Sequence, residues 1–143
     1  MVEFEHFIRK GLVKRKAQNV ELAKSLLNSA KDRFNFAISL LNQKPKYALE
    51  NAYEAVIELT DSLLALEGFK SWSHEANIAF LGKFSEFSFQ EIERLDLSRR
   101  KRHSSKYYGV SFNLEEVKKE VEFLKIVFEK LTKIIESKLS LIE

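Results

Sequence analysis

Positions 99 to 106 read Arg-Arg-Lys-Arg-His-Ser-Ser-Lys, five cations with no acid among them. The whole chain carries a formal charge of +3, so the remainder is close to −2 and the basic character is local. Guanidinium groups offer planar forks of N–H donors that match phosphate oxygens, and lysines add point charges. A stretch of this kind suits an anion such as a nucleotide or an RNA phosphate. The candidate contacts are Arg99, Arg102, His103, Lys106 and Tyr107, the last as a surface on which a base can stack.

These residues need a helix to position them. Ser88 and Glu91 form a capping box, which predicts a helix over about 89–106. Ile92 and Leu95 lie three apart on its inward face, and the same stripe continues through Arg99, Arg102, His103 and Lys106. Buried cations require anionic partners, so the second half of this helix must leave the core and line a cleft or an interface. A plainer reading also fits. Cations near a helix C-terminus are favoured by the macrodipole by about 0.3–1 kcal/mol each, and many such ends are solvated faces. Composition leaves both open. Glu54, Glu58 and Asp61 recur at helical spacing on an earlier helix, either as a solvated face or with one of them pairing with Arg99 or Arg102.

The other elements follow from apolar period and punctuation. Residues 2–10 allow a short helix with Phe4, Phe7 and Ile8 on one side, stopped by Gly11. Asn19 is an N-cap for a helix over about 20–42, whose stripe is Ala23, Leu26, Leu27, Ala30, Phe34, Ala37, Ile38 and Leu41. Pro45 suits a first helical turn, and Ala48, Ala52, Ala55, Val56, Leu59, Leu63 and Leu66 carry a second long helix to about 67, with Gly68 as its left-handed stop. The short connection makes this pair antiparallel. Ser73 caps a shorter helix with Ile78, Ala79 and Leu81. Tyr107-Tyr108-Gly109 ends the basic helix. Asn113 with Glu116 opens a final helix over about 114–140. No strand alternation is strong enough to predict a sheet. The expected fold is all-α, an antiparallel bundle of four to five helices in one domain over 1–143, with 1–18 as an N-terminal extension.

Forty-five per cent of the residues are hydrophobic, twelve are Phe, and there is no cysteine. Disulfide and thiolate chemistry are excluded. Three scattered histidines make no metal site, and no phosphate-binding glycine loop or redox motif is present, so neither a metal nor a cofactor is expected. No apolar run approaches the roughly 20 residues of a membrane helix, and residues 1–16 lack the apolar core of a signal peptide. The expectation is a cytoplasmic protein with no membrane association. His74, after its cap serine, is expected to pack or hydrogen-bond to the bundle, Trp72 to anchor into it, and Phe84, Phe87 and Phe89 to join the core or help close a dimer.

Four stretches in order resemble the HEPN superfamily, nearest its small archaeal and bacterial members. They are Leu22 to Leu27 with the AKDRFNFAISLL run after it, ALENAYEAVIELTDSLLALEGF, Ser73-His74-Glu75-Ala76, and RRKRHSSKYYG, together spanning about 20–140. The resemblance implies a HEPN-like bundle, a homodimer, and nucleotide or RNA binding, with a minimal nucleotidyltransferase as partner in a toxin–antitoxin type pair. In ribonuclease members an Arg, a polar residue and a His four to six positions on meet across a dimer interface and cut RNA without metal. Here Arg102 matches the Arg and His103 the polar residue, while Tyr107 stands where the His belongs. A neutral tyrosine is a poor general base. The strict signature is not matched, and a metal-independent endoribonuclease working through His103 stands as the alternative, beside a purely structural helical interaction domain.

Overall fold

The computed structural model describes the backbone of residues 2–108 and 113–142, with side chains for 2–103 and 113–142. Among the described residues the chain is mostly helical: α1 (Phe4–Arg9), α2 (Val20–Leu40), α3 (Pro45–Glu67), α4 (His74–Phe80), α5 (Phe89–Tyr108) and α6 (Leu114–Ile142). No helix among them is long and apolar enough to cross a membrane.

The helix starts lie where cap residues place them. Asn19 accepts from the Leu22 amide at 3.0 Å and Ser73 from the Ala76 amide at 3.2 Å. At α5, the Ser88 amide donates to Glu91 and the Glu91 amide to Ser88, at 3.0 and 3.1 Å. Glu91 also takes the Lys130 ammonium of α6 at 2.6 Å. Partial burial works against the Glu91 charge, but the Lys130 and Ser88 bonds outweigh it and hold the carboxyl below its usual range. A depressed carboxyl contributes stability above its unfolded pKa and loses it as pH falls through the folded value. Glu91→Gln keeps the cap and removes the charge, so it is expected to cost about 0.5–1 kcal/mol at pH 7. The difference from wild type should vanish in acid titration monitored by urea unfolding.

α3 is the centre of the molecule, with fourteen residues buried over its length. Such a helix is apolar nearly all round because neighbours cover it on several sides. α2 lies against it in antiparallel register: Gln18 Nε2 donates to the Leu66 carbonyl, Ser62 Oγ to the Ala23 carbonyl, and Arg33 Nε to Glu58. Ala23, Ala30 and Ala37 recur every seven residues and meet a helix that brings Ala48, Ala52 and Ala55, all fully buried. Small side chains on both surfaces allow close approach of the two axes. The α2 stripe is narrower than its sequence suggests. Ile38 is exposed, because α3 covers mainly the Ala23, Leu27, Ala30, Phe34 and Ala37 seam.

A two-stranded antiparallel ribbon, absent from the sequence expectation, joins β1 (Val13–Arg15) to β2 (Phe69–Ser71). Three residues are too few to display alternation. The register pairs Val13 with Ser71, Lys14 with Lys70 and Arg15 with Phe69. It ties the N-terminal segment from residue 2 to 18 to the bundle, and Phe4, Phe7 and Val13 enter the common core. Trp72, expected as an anchor, is 57% exposed, and Phe89 is exposed while Phe87 is buried.

Candidate functional site

α5 reaches the core through Ile92 and Leu95 and then changes character. Ser98 is buried and donates to Glu120 of α6 at 2.8 Å, and Lys101 reaches the other oxygen of that carboxylate at 3.0 Å. Glu120 thus fixes the middle of α5 against α6 and uses one cation of the basic stretch.

One turn further, α5 passes the side of α3 that carries Tyr53 and Glu54. Arg102 pairs with Glu54 through one terminal nitrogen, and its guanidinium carbon lies 5.5 Å from the Tyr53 ring centre. Arg99 donates from Nε to Asp96 at 2.8 Å, and Arg100 approaches the second Asp96 oxygen at 3.5 Å. Arg99 and Arg102 are 28% and 17% exposed, so neither extends into open solvent. The sequence offered Glu54, Glu58 and Asp61 as partners for these arginines. The structure selects Glu54; Glu58 turns to Ser29 and Arg33 of α2, and Asp61 accepts from Asn77 of α4 at 2.8 Å.

Tyr53 is the hub of this cluster, and its neighbours along the chain give little sign of it. The ring is almost wholly buried. Burial first, and the neighbouring Glu54 charge second, push its hydroxyl well above the usual tyrosine range, while Arg102 and Arg99 pull it down. The hydroxyl stays protonated at neutral pH and lies 3.2 Å from His74 Nδ1, the first residue of α4. The histidine at the hub is therefore His74, which binds to the bundle as its place after Ser73 implied. A Tyr interrupting an Ala-rich helical stripe was the available signal. For Arg99, burial opposes the charge, but the Asp96 bond, with the charges of Asp96 and Glu75, more than offsets it and leaves the guanidinium firmly cationic.

The donor count is incomplete. Arg102 Nε is buried and meets no acceptor among the described residues. Arg99 spends Nε on Asp96, which leaves its terminal amino groups outside that pair. His103 is exposed on α5. Lys106 and Tyr107 belong to the helix, but their side chains lie outside the described residues, as does Gly109. Among the described residues no group of three or more His, Asp or Glu is placed to hold a metal ion. The arrangement can therefore orient the Arg102 guanidinium beside a protonated tyrosine, with carboxylates holding both arginines in position. In comparisons with known proteins, no family model, no curated protein and no solved structure matches this chain.

Proposed function

We propose that this chain is a HEPN-like binding protein of the cytoplasm that takes a nucleotide or RNA phosphate on Arg99 and Arg102. The observation that carries the reading is the Arg102 guanidinium, 17% exposed and 5.5 Å from the Tyr53 ring centre, with its Nε unspent and Arg99 about one turn before it on α5. Glu54 and Asp96 then act as placeholders: each carboxylate keeps a fork pointed at an oxyanion position that phosphate takes over on binding. Lys106 and Tyr107, on the following turn, would add a charge and a stacking surface. The mostly helical architecture supports the resemblance, which also supplies the homodimer and the minimal nucleotidyltransferase partner.

The test is binding of labelled single-stranded RNA and of nucleotides at several salt concentrations. Arg102→Ala is expected to weaken binding by about tenfold or more and to flatten the salt dependence by roughly one charge. Glu54→Gln, which releases the guanidinium, should tighten it. Equal affinities for all three proteins would rule out this site.

One observation favours a second reading, a structural interaction domain. Arg99, Arg100, Lys101 and Arg102 all have carboxylate partners. On that reading Arg102→Ala changes stability alone, and there is no anion affinity to lose.

A further inference from the structure

The cations of the β1–β2 ribbon are placed differently from those of α5. In an antiparallel pair, directly opposed residues share a face, and so do residues two apart on one strand. Lys14 stands opposite Lys70, an arrangement of like charges that destabilises a ribbon unless something neutralises it. Trp72, two residues past Lys70, falls on the same face. Its indole is 57% exposed, and the Lys14 and Lys70 ammonium groups lie 5.9 and 5.8 Å from its ring centre. Lys16, two residues past Lys14, lies on that side too. Among the described residues none of these three lysines forms an ion pair with a carboxylate, whereas the described arginines and lysine of α5 from 99 to 102 all do.

Beside this face runs a groove of about 480 Å³, lined by Lys16, Leu22, Ala65, Phe69, Lys70 and Trp72 among others, with no carboxylate in its wall. Its size falls within the roughly 300–1,000 Å³ of small-molecule sites. A narrower cavity of about 120 Å³ shares Leu22, Ala65, Phe69 and Lys70 with it and is lined on its other side by Asp61. The Asp61 carboxylate is engaged by Asn77, and burial raises it above its ordinary range although Asn77 and Lys70 pull the other way.

We infer that this face is a second binding site, for a nucleotide unit whose base stacks on Trp72 and whose phosphate lies between Lys14, Lys16 and Lys70. An exposed indole provides a stacking surface for a base, and three ammonium groups without an ion-pair partner among the described residues provide the counter-charge. A purely apolar ligand would leave the opposed lysines unneutralised, and a simple inorganic anion would leave the indole unused. The required chemistry is therefore a planar π-system joined to an anion, as either a free nucleotide or one residue of a single strand. This site is independent of the Arg99 and Arg102 cluster.

Trp72 is the only tryptophan of the chain, so its fluorescence reports on the site directly. The full chain is titrated with adenosine monophosphate, with a short oligoadenylate and with inorganic triphosphate. Saturable quenching by the first two is expected, and quenching by the oligomer alone assigns the site to a strand. Anisotropy of a labelled oligoadenylate then reads the variants in an Arg99→Ala background, so that binding at the α5 cluster does not mask the loss. Lys70→Glu and Trp72→Ala should each weaken binding by about tenfold or more, Trp72→Phe should retain most of it, and Arg102→Ala should leave the quenching in place. The inference falls if neither nucleotide nor oligomer quenches, if triphosphate competes as well as the nucleotide, or if adding Trp72→Ala to the Arg99→Ala chain leaves its oligomer affinity unchanged. Loss of quenching in Arg102→Ala with Lys70→Glu unaffected would move the site to α5 and overturn it as well.

Discussion

Arg102→Ala is expected to lower the folding free energy by about 3 kcal/mol, near the cost of breaking a buried ion pair by removing one partner. Arg102 and Glu54 are 17% and 26% exposed, so solvent screens the pair only in part. Removing the guanidinium leaves the Glu54 carboxylate beside a buried Tyr53 ring with no countercharge, and removes the cation from that ring's face. Replacing Glu54 by Gln in the same chain should restore about 1–2 kcal/mol, because the stranded charge is then gone. Urea unfolding of the wild type, both single variants and the double variant gives the coupling directly. Arg102→Ala within about 0.5 kcal/mol of wild type, as for ordinary surface substitutions, would mean that the pair is solvated and the cluster is loose. The same variants separate stability from binding. Glu54→Gln is expected to weaken the fold while strengthening anion binding, a combination that a merely structural ion pair would not produce.

Where the helices begin and end was legible because the signals are local. Asn19, Ser73, Ser88 with Glu91, and Asn113 with Glu116 each bond to an amide within three residues, so their effect does not depend on the rest of the molecule. α5 runs to Tyr108, two residues beyond its expected end. The inward stripe of Ile92 and Leu95 was equally local, and in its cationic continuation Arg102 met an acid on another helix, while Arg99 paired with Asp96 of its own. Which acid it met was not legible. Glu54, Glu58 and Asp61 have the same chemistry and the same spacing, and the choice among them depends on where α5 crosses α3 and where α2 and α4 lie. Arg33 claims Glu58 and Asn77 claims Asp61, and both belong to elements far away in sequence. Tyr53 was hidden for the same reason. Nothing in its neighbours along the chain says that a histidine twenty-one positions on will meet its hydroxyl.

The ribbon shows the same limit more sharply. Residues 13–15 and 69–71 have no alternation to read, and each strand makes sense only once the other is beside it. Its register nevertheless decides the fate of Trp72. Ser71 is buried, so alternation turns residue 72 outward. An isolated tryptophan in a sequence is better placed in a core than on a surface, and only the pairing overrides that expectation. The two proposed sites thus differ in origin: the α5 cluster arises from one helix pattern meeting a central helix, and the lysine–indole face from the pairing of two strands that the whole of α2 and α3 separates.

Gly68→Ala is expected to destabilise the chain by about 3 kcal/mol, and to disturb the ribbon specifically. Gly68 ends α3 in the left-handed region, with φ 83° and ψ 43°, and its amide closes the helix on the Leu64 carbonyl. A side chain there costs about 1 kcal/mol in backbone conformation alone. The larger part is steric. An added Cβ would stand 2.8 Å from the Lys16 carbonyl oxygen, a backbone atom that cannot swing aside. Lys16 is itself held to Gly68, donating its amide to the Gly68 carbonyl at 2.9 Å, so relief of the clash must pull β1 away from β2. Gly11 provides the control. Its φ is 77°, but a methyl group added there would meet no atom within 4 Å, so Gly11→Ala should cost only the conformational part, about 1 kcal/mol. Thermal and urea unfolding compare the two variants, and a change in Trp72 emission in the folded state should accompany Gly68→Ala alone, since the Trp72 amide is bonded to Leu12 at the ribbon's end. Equal destabilisation by the two variants would show that the approach of Lys16 to the α3 terminus is not what holds the ribbon, and with it the lysine–indole face, in place.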